Sequence, residues 1–213
     1  MKKIILLAVV IFSFLSTNLK ANATDINTVK ETIVKQAMEL NVDPAIALSI
    51  AKTESNFRHE ARSRYGAVGV YQLMPTTAQR MGFNPYNLVD NIKGGITYYK
   101  MMYNMFGTVE LALAAYNAGP GNVKKYNNTI PPFTETKNFV TKITADIERQ
   151  KLTPDPSVTS VQKSLDAQKE VAELDKTIAQ VEDAEIHSFE DLNIQILDKG
   201  EFDYELNLED MTI

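Results

Sequence analysis

Few residues in this chain can do acid–base or metal chemistry. There is no cysteine, and the two histidines, His59 and His187, are far apart. No zinc-ligand set can be assembled from close spacings, and no D-x-D-x-D-G calcium loop occurs. No metal or cofactor is therefore expected. Ser55 and His59 stand four residues apart but lack any nucleophile-elbow motif. What remains is one carboxylate in unusual company. Residues 43–54 read D-P-A-I-A-L-S-I-A-K-T-E. Asp43 suits an N-cap and Pro44 the first helical position. The apolar residues that follow lie nearly all round the helix, so it should be buried. Glu54 falls on that apolar surface, four residues after Ile50 and seven after Ala47. Burial disfavours ionised Glu, and the negative end of a helix stopping near Asn56 disfavours it further. A carboxyl group held protonated near neutral pH is what a general acid requires. The plainer reading is a Glu solvated or paired with Lys52, Arg58, Arg62 or Arg64.

The elements that must position Glu54 can be read from periodicity. Ile26, Val29, Ile33, Ala37 and Leu40 share one face and predict a helix over 27–40. The Glu54 helix follows. After Phe57 comes a polar loop or small hairpin with Gly66 and Gly69, residues that permit positive φ and close backbone approach. Pro75 and Thr76 start a helix that Gly82 ends. Asn84 to Asp90 reads as a polar loop, and Gly94 to Phe106 as a helix rich in Tyr and Met. Such a stripe reads as core before it reads as a ligand site. Thr108 to Ala118 is the next helix, stopped by Gly119-Pro120-Gly121. Thr134 to Lys151 is the last helix of the domain.

Several blocks along this order carry a resemblance. From Glu54 the chain reads E-S-N-F-x-x-x-A-x-S-x-x-G-A-V-G-V-Y-Q-L-M-P-T-T-A. Residues 112–123 read A-L-A-A-Y-N-A-G-P-G-N-V. I-P-P-F follows at 130–133 and E-T-K-N-F-V at 135–140. Over roughly residues 40–145 the chain resembles the soluble-type lytic transglycosylases, the goose-lysozyme-like family that cleaves peptidoglycan. The resemblance implies a mainly α, lysozyme-like α+β fold with a small hairpin at the sugar cleft. It implies Glu54 as the catalytic acid, with Ser63, Gln72, Tyr116 and Asn117 around the cleaved bond. Met74 would form an apolar wall, and so would Tyr71, which stands where family members often have Met or Trp.

A hydrolysing glycosidase normally uses two carboxylates, about 5–5.5 or about 6.5–9.5 Å apart. Glu54 is the one acid inside a recognisable active-site block. Asp90, Glu110 and Glu135 are second acids on composition alone, each with a simpler reading as a cap or surface charge. The resemblance implies that one carboxylate suffices. The muramyl C6 hydroxyl closes on the sugar carbon and gives a 1,6-anhydro end, an intramolecular step with a high effective molarity. The alternatives are a lysozyme-type hydrolase and a non-catalytic wall-binding assembly protein.

The rest of the chain reads as an address and an extension. Met1-Lys2-Lys3, an apolar run from Ile4 to Leu15 and the small residues Ala21-Asn22-Ala23 form a signal-peptide pattern over 1–23. A periplasmic location is expected. Residues 24–150 read as the catalytic domain, and 151–213 as an acidic extension behind a linker at Pro154 and Pro156. Residues 21–150 carry 14 Lys and Arg against 11 Asp and Glu, a net of +3; residues 151–213 carry 5 against 16, a net of −11. Neither part has the clustered Arg and Lys with interleaved aromatics of a nucleic-acid binder. Ser157 to Ile186 reads as a helix, with Val171, Leu174, Ile178 and Val181 in an a/d pattern and Val158, Val161 and Leu165 in another register. Leu192, Ile194 and Ile196, then Phe202 to Leu208 after an Asp-Lys-Gly turn, read as a small hairpin or an acidic tail. This extension is expected to dock onto an envelope-spanning assembly such as a secretion, conjugation or pilus apparatus, or else to fold back and restrain the cleft.

Overall fold

Eight helices run through the part of the chain that the computed structural model describes, residues 25–199, with side chains through residue 181. Their order is α1 (Ile26–Glu39), α2 (Pro44–Ser55), α3 (Pro75–Arg80), α4 (Leu88–Phe106), α5 (Val109–Ala118), α6 (Pro120–Lys125), α7 (Thr134–Leu152) and α8 (Pro156–Lys199). Packing divides the chain into two units after Gln162.

In the first unit α2 lies between α1 and α7. Asp43 caps it by accepting from the Ala45 N–H, and Pro44 opens it. Ala47, Leu48, Ile50 and Ala51 are fully buried, as an all-round apolar helix requires. α1 and α7 pack against α2, while α5 packs against α4 and α7. α1 presents Val29, Ile33, Val34 and Ala37 to this core.

Two boundaries differ from the sequence expectation. α4 begins at Leu88, six residues before Gly94, because the Asn87 side chain caps it by accepting from the Asp90 N–H. This brings Asn91 into the helix and into the core. Pro120 does not merely follow a stop: it opens the short helix α6 after Gly119, as proline at a first helical position can. The expected hairpin between α2 and α3 is reduced to two isolated antiparallel bridges, Arg62 with Val68 and Val68 with Leu73.

Residues 151–162 pack with the first unit. Lys30 pairs with Asp155 at 2.7 Å, Ser160 donates to Glu31 at 3.0 Å, and Val161 is buried. The second unit is described as the continuation of α8, a helical backbone through Lys199. That corrects the expected strand at Leu192–Ile196. Apolar residues four apart, such as Leu192 and Ile196, suit a helix as well as alternation suits a strand, and no sheet partner is present among the described residues to favour the latter. Residues 200–213, including the pattern from Phe202 to Leu208, lie outside the described residues, as do residues 1–24. No described helix is long and apolar enough to cross a membrane.

Candidate active site

Glu54 sits in the last turn of α2, where Asn56 in the left-handed conformation ends the helix. It faces a cleft of about 430 Å³ lined by Ser63, Tyr65, Gln72, Met74, Tyr98, Tyr116, Asn117 and Glu135 among others. The carboxyl keeps some contact with the cleft, yet protein fills most of the space around it. That burial, with the nearby Glu135 charge adding to it, pushes its pKa from an ordinary 4.5 up to about 8. At neutral pH it therefore holds its proton. Next to it, Ser55 donates to the Val70 carbonyl at 2.8 Å and ties the end of α2 to the loop. His59 pairs with the Tyr86 carbonyl instead, so Ser55 and His59 do not form a catalytic couple.

The loop is shaped by backbone geometry. Gly69 has φ +80°, and a Cβ there would stand 2.5 Å from the buried Asn91 amide. Asn91 accepts from the Tyr71 N–H at 3.0 Å and donates to the Val68 and Pro85 carbonyls. Gln72 adopts φ +44°, a costly region for a side chain of its size. Its amide offsets that cost by donating to the Gly69 carbonyl at 2.8 Å and the Ala61 carbonyl at 3.3 Å. Ser63 accepts from the Tyr65 and Ala67 N–H groups and so fixes the rim beside the exposed Tyr65 ring.

The opposite wall comes from α5 and α7. Tyr116 and Asn117 lie in the last turn of α5, before Gly119 at φ +86°. Tyr116 stacks on Phe139 with centroids 6.2 Å apart and tilts against Tyr98 at 5.2 Å. Burial, and then the Glu54 carboxylate, hold its phenol protonated far above the usual range. Asn117 accepts from the Thr136 hydroxyl at 2.8 Å, which leaves its amide N–H₂ available to a ligand.

The structure thus brings together Glu54, Ser63, Gln72, Met74, Tyr116 and Asn117. It does not bring Tyr71 to the cleft. Tyr71 is fully buried, and its hydroxyl donates to the Ala47 carbonyl at 2.9 Å. An aromatic ring of this size fits there because Gly95 has no Cβ; one would lie 2.2 Å from the Tyr71 ring. Its place is under the wall rather than in it.

The family model for the transglycosylase SLT domain matches residues 31–139, more than half of the 213 residues. The chain belongs to this family. A relative, the transglycosylase of Enterobacteria phage PRD1, is 37% identical over 90 residues, which are 42% of this chain and 34% of that protein. The soluble lytic murein transglycosylase of Escherichia coli K12 is 31% identical over 128 residues, 49% of this chain and 20% of that protein. An inactive mutant of the lytic transglycosylase Slt from Pseudomonas aeruginosa has a similar structure, with TM-score 0.51 and 30% identity over 60% of this chain and 25% of that one. The chain therefore spans about a third or less of the length of these relatives.

Tyr98 is a cleft residue that nothing in the sequence singles out. Tyr98 belongs to a helix whose Tyr and Met stripe reads as core. Tyr99 and Met102 are indeed buried, but Tyr98 faces the cleft. Position on the helix, not composition, separates them. Glu135 is in the sequence a second acid on composition alone, with a simpler reading as a surface charge; the start of α7 carries it to the cleft.

Proposed function

We propose that this chain is a lytic transglycosylase that cleaves peptidoglycan between N-acetylmuramic acid and N-acetylglucosamine without water. The observation that supports it most is the largely buried Glu54, its pKa pushed up to about 8, facing a cleft that holds hydrogen-bonding groups from α5 and the loop. Glu54 donates its proton to the glycosidic oxygen, and that bond breaks. The substrate's N-acetyl group stabilises the positive charge at the sugar carbon. Glu54, now a carboxylate, takes the proton of the muramyl C6 hydroxyl as that oxygen bonds to the same carbon. Glu54 ends protonated, and the product is a 1,6-anhydro sugar. Asn117 and Gln72 supply polar contacts to the sugars, and Met74 an apolar wall. Mass analysis of digested purified peptidoglycan tests this: anhydro ends weigh one water less than hydrolysed ends.

One observation favours a second reading. Glu135 lines the same cleft and its charge reaches Glu54, so a two-carboxylate hydrolase is the competitor. It predicts reducing ends and a total dependence on Glu135.

The leader pattern of residues 1–23 supports export to the periplasm, where the substrate lies. The net −11 of residues 151–213 supports docking of the extension on a basic component of an envelope-spanning assembly, because tethering raises local concentration without new catalytic contacts. Removal of residues 163–213, which leaves the first unit whole, tests this. Docking predicts unchanged cutting of purified wall and lost function in cells; restraint of the cleft predicts faster cutting.

A further inference from the structure

Within the second unit, α8 carries an apolar face that no other described residue of that unit covers. Val171, Leu174, Ile178 and Val181 are 58%, 59%, 47% and 53% exposed. Their spacing of three, four and three residues is that of a coiled-coil seam with a at 171 and 178 and d at 174 and 181. Single exposed apolar residues need no explanation, but four in one stripe over three turns do. Val161, earlier on the same helix, is buried. The change of register that the sequence shows along this helix is thus a change of neighbour.

The flanks of the stripe say what kind of neighbour fits. In this register Glu170 takes a g position and Asp175 an e position; Thr177 is the next g. All are exposed. In a parallel pair of copies, the Glu170 of one chain would meet the Asp175 of the other, twice per dimer. An antiparallel pair sets g against g and e against e; with the seams overlapping, Asp175 meets Asp175, while Thr177 makes the g side neutral there. Like charges at these positions select against self-pairing. Lys or Arg at the partner's flanks would turn each of these acidic contacts into an ion pair.

We infer that the stripe Val171–Leu174–Ile178–Val181 is a docking surface for an amphipathic helix of another protein, with an apolar a/d seam flanked by Lys and Arg. The contact is a helix pair. It is independent of the cleft and of the reaction carried out there. The seam supplies the buried area, and the acidic flanks supply partner choice and salt dependence.

The test measures binding by the full chain of synthetic helices of about three heptads with Leu at a and d. One carries Lys at e and g, the other Glu. The Lys-flanked helix is expected to bind, more weakly as salt rises, and the Glu-flanked helix not to bind. Leu174→Asp with Ile178→Asp should weaken binding about tenfold or more. Glu170→Lys with Asp175→Lys keeps the seam and should reverse the preference between the two helices. Equal binding of both helices, no binding of either, or no effect of the aspartates would overturn the proposal. Dimerisation that the aspartates abolish would assign the stripe to a second copy instead. Binding seen only after removal of residues 200–213 would assign it to the chain's own end. No arm uses wall cutting, so a failure here is distinct from a failure of the transglycosylase reading.

Discussion

Tyr116 donates its phenolic proton to the main-chain carbonyl of Tyr71 at 2.8 Å. One residue is in the cleft wall and the other is in the core, and this bond couples them. Tyr71 is held from below by the Ala47 carbonyl and from the side by Asn91. The wall opposite Glu54 is thus fixed by a chain of hydrogen bonds that begins inside α2, the helix that carries Glu54.

Tyr116→Phe removes the donor and leaves the Tyr71 carbonyl without this partner in a buried setting. Chemical denaturation should show a loss of about 1 kcal/mol. Activity should fall with it, because the ring between Tyr98 and Phe139 loses its anchor. Stability and turnover both equal to those of the parent would show that the bond positions nothing.

Gly95→Ala should be more damaging than an Ala substitution on a helix usually is. The added methyl would meet the Tyr71 ring at 2.2 Å, and neither backbone can yield easily. A loss of about 1–3 kcal/mol or more is expected, as for other overpacked cores. The helix propensity of Ala would by itself favour the variant, so a stabilised Gly95→Ala would contradict the close approach.

Glu135→Gln separates electrostatic influence from catalysis. Glu135 raises the pKa of Glu54 through its charge, so its removal should move the alkaline limb of kcat/KM to lower pH. Wall cutting should persist. A complete loss of activity at every pH would make Glu135 a catalytic partner and favour the hydrolase.

The pH dependence of stability has a definite sign. Glu54 has an ordinary value of 4.5 when unfolded and about 8 when folded. Between these pH values the folded state binds the extra proton, so stability falls as pH rises through this window. Gln at position 54 carries no such charge. Glu54→Gln should match the parent in stability near pH 4.5, exceed it increasingly as pH rises toward 8, and keep a level advantage above that. A constant difference across that range, measured by denaturation, would mean that Glu54 is not desolvated.

Much of the helical frame was legible because its signals are local. Asp43-Pro44 opens α2 and an all-round apolar run buries it, so the burial of Glu54 could be inferred from spacing. Tyr116 and Asn117 could be placed in a last turn because Gly119 follows them. Contacts between distant segments were not legible. Nothing local says that Asn91 reaches across to hold the loop, so the sequence alone predicts a helix from Gly94 with the polar residues before it as loop. The Tyr71 ring needs the missing Cβ of Gly95, twenty-four residues away in sequence, and without that pairing a tyrosine beside Gln72 reads as cleft lining. The extension shows the converse limit. Alternation at Leu192, Ile194 and Ile196 is a period of two, yet the same residues lie in a helix.

The most direct test of the single-acid mechanism is the mass of the muropeptides released from purified peptidoglycan by the parent chain and by Glu54→Gln. Products with 1,6-anhydromuramyl ends, one water lighter than hydrolysed fragments, and nearly complete loss of them in the folded variant are the predicted result. Reducing ends as the main product, or anhydro ends still released by Glu54→Gln, would contradict it.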